Sequence, residues 1–255
     1  METTIERAVT RVISSMQDNL GQELTIDEMA KTALFSKFHF TRIFKNATGI
    51  TPGRFLSALR LERAKHLLVT TELNIADISN LVGYQSVGTF SSRFKNSVGM
   101  APSAYRRLGG FTDEIQPAGP PPGDRTRPVS LRGTVLPPED GQAGHVFIGL
   151  FPECIPQGQP VRCAVLDRPG PYVLEDVPEG TWYVLMQSVP YGMEELDGIR
   201  SDGAPSIGTY GPVTVGSNTL LKPADVRLRA MRALDPPVLL ALLDMRMHAL
   251  TRVAG

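Results

Sequence analysis

The sequence predicts two domains, an all-α domain over residues 1–108 and a mainly antiparallel β-sandwich over residues 129–255. Before residue 108 proline occurs only at Pro52 and Pro102, as is typical of a helical region. In the second half, Gly and Pro separate short apolar runs such as HVFIGLF, VRCAVL and TWYVLMQSV, which favours antiparallel strands. Residues 109–128 are rich in Gly and Pro and predict an extended linker between the two domains.

The all-α half contains an internal repeat. The stretch FKNATGITP, residues 44–52, returns as FKNSVGMAP, residues 94–102, at an offset of 50 positions. Further upstream the match continues at an offset of 49, with Gln85 as the extra residue. The chain therefore contains two copies of one supersecondary unit.

Each copy shows the residues that begin and end two helices. Thr25 with Glu28 forms a capping-box pattern for the first helix of copy one, and Asn74 with Asp77 does so less ideally in copy two. After a tight turn, a second helix is expected to begin at a capping serine and to end at a left-handed glycine, and a further helix begins with proline. These residues are Ser36 and Ser86, Gly49 and Gly99, and Pro52 and Pro102.

A short helix, a tight turn and a longer helix form a helix-turn-helix unit, whose second helix enters the DNA major groove. The spacing of Phe40, Ile43 and Phe44 predicts the buried side of that recognition helix and leaves the opposite side exposed. The first domain is thus expected to be a tandem helix-turn-helix of about seven helices. The candidate DNA-binding residues are Ser36, Lys37, Phe38, Thr41, Arg42, Lys45, Ser86, Val87, Gly88, Ser91, Ser92, Arg93 and Lys95.

The two outward faces differ in chemistry. Arg42 suits a bidentate contact to guanine, and Thr41 or Phe38 suits a thymine methyl group. The second face carries mostly small groups, so we expect it to contribute shape fit, backbone contacts and register. The simpler alternative is that these cations are solvated surface residues, and their position in a duplicated unit favours DNA contact instead.

A long helix is predicted between the copies, from Pro52 to about Val69. Its 18 residues would span roughly 27 Å. With side chains added at both ends, it could hold two recognition helices about one DNA turn, roughly 34 Å, apart on one side of the duplex. One polypeptide would then contact two successive segments of the major groove.

Charge is distributed unevenly between the halves. The chain has 26 Lys/Arg and 26 Asp/Glu, but residues 1–108 hold 14 of the former and 9 of the latter. The first half is therefore at +5 and the second at −5. This asymmetry indicates an anion-binding module joined to a domain with a different role.

The motifs ISNLVGY, FSSRFK and GMAPSAYRR occur in an order and spacing that resemble the AraC/XylS family of bacterial transcriptional regulators. The resemblance covers about residues 5–108. It implies a sequence-specific regulator that binds double-stranded promoter DNA through both recognition helices, with RNA polymerase as a further candidate partner. Members with long polar side chains on the second recognition helix differ from this chain, in which Gly88, Ser91 and Ser92 are small.

The second half resembles transthyretin-like or carboxypeptidase-regulatory sandwich domains in its VPEGTWY stretch, residues 177–183. Alternation predicts Trp182 and Met186 on one face of a strand and Tyr183 on the other. One hypothesis is a domain that binds a small-molecule effector and regulates the first half. The candidate ligand-binding residues are Tyr172, Trp182, Tyr183, Met186 and Tyr191.

The alternative for this half is a protein-interaction clasp, including one that forms a homodimer through a sheet edge or the tail DPPVLLALLDMRMHAL. The stretch from Val238 to Leu243 is expected to form either a closing strand or a docked helix. In that case the whole protein would be a constitutive architectural or accessory DNA-binding protein without an effector.

Enzyme activity is not predicted. The second half has only two histidines and lacks the GxSxG and HExxH patterns. Cys154 and Cys163 lie nine positions apart without CxxC spacing, so we expect free thiols, no metal and no cofactor. No apolar stretch is long enough for a membrane span, and we expect a cytoplasmic location.

Overall fold

The structure is a computed structural model of the 255-residue chain and describes residues 3–110, 129–139, 143–188, 205–216 and 220–240. These residues divide into two compact units. The helical unit comprises residues 3–110 together with residues 232–240, and the β unit comprises the described residues from 129 to 231.

Seven α-helices form the described part of the helical unit, in agreement with the predicted number. They are α1 (Thr4–Asp18), α2 (Ile26–Ala33), α3 (Lys37–Thr48), α4 (Pro52–Thr70), α5 (Ile75–Leu81), α6 (Val87–Val98) and α7 (Pro102–Arg107). The first helix-turn-helix unit is α2 and α3, the second is α5 and α6, and α4 joins them.

The predicted helix boundaries are confirmed at most positions. The capping box of Thr25 and Glu28 is complete, and the Asn74 side chain accepts a hydrogen bond from the Asp77 amide. Both recognition helices end at a left-handed glycine, Gly49 at φ 81° and Gly99 at φ 98°. Ser36 stands at the predicted N-cap position of α3 with an extended backbone, but its side chain makes no capping hydrogen bond. Its counterpart Ser86 does accept one, from the Thr89 amide.

Aromatic side chains fill equivalent positions in the two copies. Phe40, Phe44 and Phe55 pack edge to face in the first copy, with ring centroids 5.5 Å apart at each contact. Phe90, Phe94 and Tyr105 repeat the arrangement at 5.7 and 5.5 Å. Buried aromatic pairs of this kind contribute about 0.5–1.5 kcal/mol each beyond their buried area. The same small core thus orients each recognition helix against the helix that follows it.

Residues 232–240 pack with the helical unit rather than with the β unit. Leu234, Leu239 and Leu240 are buried, and the Lys65 ammonium on α4 donates hydrogen bonds to the carbonyls of Val238 and Leu240 at 3.1 and 3.2 Å. The segment was expected to lie within one domain spanning residues 129–255. Residues 236–240 form neither a strand nor a helix, and the remainder of the predicted stretch from Val238 to Leu243 lies outside the described residues.

Eight strands form the described part of the β unit, and the apolar runs HVFIGLF, VRCAVL and TWYVLMQSV correspond to β2, β3 and β5. The strands are β1 (Leu131–Leu136), β2 (Val146–Phe151), β3 (Arg162–Leu166), β4 (Pro171–Leu174), β5 (Gly180–Ser188), β6 (Ser206–Val215), β7 (Val226–Arg227) and β8 (Arg229–Ala230). One sheet has the order β4-β1-β7 and the other β3-β2-β5-β6-β8. Pairing is antiparallel except between β1 and β7.

The two sheets contribute side chains to one apolar core. Leu131 and Val226 come from the three-stranded sheet, and Ile148, Val184 and Met186 come from the five-stranded sheet. The predicted alternation along β5 is confirmed, because Trp182, Val184 and Met186 all face this core. The β unit is mainly antiparallel, and side chains from both of its sheets form one apolar core.

Candidate nucleic-acid interface

The outward side of α3 carries the residues that the sequence proposed for the first recognition helix. Lys37, Phe38, Arg42 and Lys45 are exposed and Thr41 is half-buried, whereas Phe40, Ile43 and Phe44 are buried on the opposite side. Phe38 is 89% exposed. A large aromatic side chain so exposed at the start of a helix is available for apolar contact with a partner, such as a base edge.

The charges on α3 are in different states. The Lys37 ammonium pairs with the Asp27 carboxylate on α2 at 2.9 Å, so it is partly neutralised before any DNA binds. Arg42 and Lys45 make no hydrogen bond or ion pair to any residue that the structure describes. These two are therefore the cations on this face that are available to an anionic partner. The Thr41 hydroxyl donates to the Lys37 carbonyl at 2.9 Å, which leaves its methyl group and oxygen lone pair for a ligand.

The outward side of α6 is smaller and less apolar. Ser86, Val87, Gly88, Ser92, Arg93 and Lys95 are exposed and Ser91 is half-buried. Within the described residues, Arg93 and Lys95 also form no ion pair. Near Gly88 a Cβ would find only the Ser86 hydroxyl, at 3.7 Å, so the surface here is open. A flat, open surface allows the helix backbone to approach a DNA groove closely.

The turns between the helices of the two copies differ, and the sequence interpretation overlooked this. Leu34 ends α2 in the left-handed region at φ 62° and is 80% exposed. At the matching position of copy two, offset by 49, stands Gly83 at φ 81°. The pairing of Leu34 with Gly83 in the repeat alignment was the signal that could have revealed it. Leu34 extends the exposed apolar surface of copy one beyond Phe38 alone.

The candidate ligand-binding residues of the β unit have mainly packing roles in this structure. Tyr172 is buried and its hydroxyl donates to the Ala224 carbonyl at 2.8 Å, and burial raises the pKa of that hydroxyl. Trp182 is half-buried and its Nε1 donates to the Pro178 carbonyl at 2.9 Å. Met186 is 3% exposed within the core. Ligand binding by these residues stays a prediction.

Tyr183 and Tyr191 complete that set and are not brought together with it. Tyr183 is half-buried on the side of β5 opposite to Trp182, in agreement with the predicted alternation. Tyr191 lies outside the described residues. The structure therefore places three of the five candidates around one core and one on the other face of the sheet.

The residues considered for a metal do not converge where they are described. Cys154 and Cys163 are free and half-buried. Nδ1 of the buried His145 is 3.8 Å from a carboxylate oxygen of Asp167. In the described ranges, no three His, Cys, Asp or Glu side chains lie close enough to hold an ion together. No helix in those ranges is both long and apolar enough to cross a membrane.

Comparison with known proteins gives matches to the helical unit. A family model described as a helix-turn-helix domain matches residues 29–108. An uncharacterized HTH-type transcriptional regulator of Haemophilus influenzae is 40% identical over 82 residues, which are 32% of this chain and 28% of that protein. This chain spans about a third of the length of the first curated relatives, with values of 28%, 36%, 34% and 34%.

Two shorter relatives are matched over most of their length. The HTH-type transcriptional activator AarP of Providencia stuartii is 30% identical over 98 residues, which cover 38% of this chain and 73% of AarP. The transposon Tn10 TetD protein of Escherichia coli is 35% identical over 96 residues, which cover 38% of this chain and 70% of TetD. A solved transcriptional regulator with an AraC-type DNA-binding domain from Chromobacterium violaceum is 30% identical, with a TM-score of 0.40 over 41% of this chain and 93% of that one.

The repeated helix-turn-helix units, the long α4 between them and the matches over 73% of AarP and 70% of TetD agree with one another. They also agree with the family expected from the motifs of α5 to α7. The chain belongs to the AraC/XylS family of helix-turn-helix transcriptional regulators.

Proposed function

We propose that the protein is a sequence-specific DNA-binding transcriptional regulator that contacts two successive major-groove segments with α3 and α6. The observation that carries this proposal is the duplicated outward face. In each copy a packed aromatic core holds a recognition helix whose opposite side presents cations without a protein partner in the described structure. Exposed cations on one side of a helix attract an anionic ligand, and a DNA backbone supplies a phosphate every few ångströms.

The two helices would contribute unequally. Arg42 on α3 has the geometry for a bidentate contact to guanine, and the exposed Phe38 and the Thr41 methyl suit thymine. On α6 the side chains are short, so backbone contacts by Arg93 and Lys95 and sequence-dependent DNA shape would dominate. We expect a binding site with one strongly specified half and one weakly specified half.

Several relatives carry names of operons. The MmsAB operon regulatory protein of Pseudomonas aeruginosa and the raffinose operon regulator RafR of Pediococcus pentosaceus are both 35% identical to this chain over 92 and 95 residues. These names support control of an operon as the role of this chain too, exerted in the cytoplasm on promoter DNA, with RNA polymerase as a candidate partner. We assign no catalytic step to the protein.

The β unit is proposed to regulate the helical unit. Its two sheets contribute to one core, which supports the β-sandwich architecture, and the polar tips of Tyr172 and Trp182 are held by backbone carbonyls. A small-molecule effector or a second copy of the chain would then alter the affinity for DNA. If neither changes that affinity, the β unit is a clasp and the protein is a constitutive accessory factor.

The test begins with selection of the preferred site from genomic fragments. We would then measure the dissociation constants of the full chain at three salt concentrations. The duplexes are the preferred site, single-base variants of that site and a scrambled sequence. We expect Arg42→Ala to weaken binding by about 1–3 kcal/mol on the preferred site and to abolish discrimination at one base pair. Arg11→Ala is the matched control, because Arg11 is an exposed arginine on α1 and belongs to neither recognition helix.

The outcomes separate the alternatives. A uniform loss on every duplex with Arg42→Ala would reassign Arg42 to a phosphate contact. Equal affinity of the unaltered protein for the preferred site and the scrambled duplex at all three salt concentrations would refute sequence-specific regulation and leave an architectural role.

A further inference from the structure

The loop that follows α1 lies directly against the turn of the second helix-turn-helix unit. A Cβ placed on Gly21 would stand 2.8 Å from the Leu81 carbonyl oxygen at the end of α5. That distance is shorter than carbon and oxygen tolerate without movement. Residues near the first copy and residues of the second copy therefore meet, although 60 positions separate them in the sequence.

Arg60 of α4 occupies the centre of this contact. Its Nε donates to the Leu20 carbonyl at 3.0 Å and its Nη2 to the Gln22 carbonyl at 2.6 Å. Its Cζ lies 6.0 Å from the ring centroid of Tyr84, within the range of a cation–π contact. Arg60 is half-buried, and this partial loss of water lowers the pKa of its guanidinium. A planar fork with fixed donors suits this position between two carbonyls and an aromatic ring.

The second copy leaves room for Arg60 by means of a glycine. A Cβ on Gly83 would stand 2.4 Å from the Leu20 oxygen and 2.7 Å from Nη2 of Arg60. Next to it, the Tyr84 hydroxyl lies 3.2 Å from Oγ of Ser57 on α4. The turn of copy two is thus fitted to α4 and to the loop after α1 at the same time.

Arg106 provides a natural comparison. On α7 its Nε donates to the Leu68 carbonyl at 3.0 Å, and its Nη2 donates to the carbonyls of Leu73 at 2.6 Å and Thr71 at 3.4 Å. Arg106 thus links α7, which follows copy two, to the loop that precedes α5. Arg60 likewise links α4, which follows copy one, to the loop that precedes α2. The acceptors of Arg106 lie in the last turn of α4 and in the loop before α5, so it acts within copy two, whereas Arg60 also touches the turn of the other copy.

We propose that Arg60 is a positioning residue that fixes α6 relative to α3 and so sets the spacing of DNA half-sites that the protein accepts. It does so through the contact of the Leu20–Gln22 loop with Gly83 and Tyr84. This inference rests on the proposed function. A rotation at this joint would move α6 relative to α3, and a relative displacement of about 3.4 Å along the duplex corresponds to one base-pair step. Conservative substitutions of Arg60 should therefore change the preferred half-site spacing without unfolding the protein.

The experiment uses the full chain and a series of duplexes in which the selected site has its spacer shortened by one base pair or lengthened by one or two, together with duplexes that carry a single half-site. Arg60→Lys keeps the charge and removes the planar fork. We expect the unaltered protein to lose about tenfold in affinity for each base pair added or removed. Arg60→Lys should lower the ratio of preferred to altered spacing at least about fivefold while leaving the affinity for a single half-site unchanged.

Arg106→Lys is the matched control and should keep the spacing profile of the unaltered protein. Gly21→Ala is the second variant, since it pushes the loop away from Leu81 while Arg60 remains, and it should flatten the profile in the same way. An Arg60→Lys or Gly21→Ala protein that retains its helical circular dichroism and keeps the unaltered spacing profile would overturn the proposal. If the unaltered protein itself shows no spacing preference, the two-helix contact of the proposed function fails as well, which distinguishes the two failures.

Discussion

The turns at Leu34 and Gly83 occupy equivalent positions of the repeat and should respond in opposite directions to substitution. A non-glycine residue in the left-handed region costs about 1–2 kcal/mol. Leu34, at φ 62°, accepts this cost while 80% of its surface is exposed to solvent. Replacing it by glycine removes this conformational cost, which stabilises the folded state. Two contributions act against that gain. The variant loses about a fifth of the roughly 1.5–3 kcal/mol that full burial of a leucine gives, and the greater entropy of glycine favours the unfolded chain by about 0.4–1 kcal/mol. Leu34→Gly should therefore raise the free energy of unfolding of the helical unit by about 0–1 kcal/mol.

Gly83→Ala meets the reverse situation. The alanine would adopt φ 81° and its Cβ would stand 2.4 Å from a backbone oxygen that cannot move freely. Strain and overpacking add, so we expect a loss of at least about 2 kcal/mol. The contrast between the two variants is the prediction, since both change one residue at the same position of the same motif.

Urea unfolding followed by circular dichroism at 222 nm measures the helical unit. The single tryptophan, Trp182, lies in the β unit, so its fluorescence follows that unit in the same titration. The effect should appear in the dichroism transition. A Leu34→Gly protein destabilised by more than about 1 kcal/mol, or a Gly83→Ala protein as stable as the unaltered chain, would refute the reasoning.

Two further predictions concern the helical unit. Lys65→Met keeps the side-chain length but removes the hydrogen bonds to Val238 and Leu240. We therefore expect the free energy of unfolding to fall by about 1–3 kcal/mol and amide hydrogen exchange in residues 232–240 to become faster. Unchanged exchange in that segment would contradict its docking on α4. Thr25→Ala should cost about 1 kcal/mol through loss of the helix cap. Hydrogen bonds from Thr25 lower the pKa of Glu28, so the stability they provide is present at neutral pH and is lost as the pH falls through that lowered pKa. The urea midpoint measured from pH 7 downwards should therefore depend less on acid in Thr25→Ala than in the unaltered protein.

The sequence predicted those features that are decided within a few residues. The capping box at Thr25 and the left-handed Gly49 and Gly99 depend on local backbone geometry, and their residue types have few other reasons to occur there. Ser36 shows the limit of such reasoning. Its backbone is extended, at φ −68° and ψ 150°, yet its hydroxyl makes no cap, because a capping residue type permits the hydrogen bond without requiring it.

Features that depend on distant residues were not predicted. Arg60 lies within the predicted helix between the copies, and only the fold reveals that its acceptors lie 40 and 38 positions away. Likewise, the apolar residues near Leu240 indicated burial but could not indicate which unit buries them, since hydrophobic burial is not directional. The contribution of Lys65, 173 positions from Val238, follows from the same long-range packing.

The two copies have diverged in a way that matches the roles proposed for them. Copy one carries an exposed, strained Leu34 at its turn and an exposed Phe38 and Arg42 on its recognition helix, all directed to whatever binds there. Copy two has at its turn a glycine that fits tightly against Arg60 and the loop after α1, and its recognition helix presents small side chains. A recognition helix with few base-specific contacts contributes to DNA binding mainly through its position. That contribution falls if the rest of the protein does not hold the helix in place. The tight joint at Gly83 is therefore the expected counterpart of the small face on α6, and loosening the joint should harm the weakly specified half-site more than the half-site that Arg42 contacts.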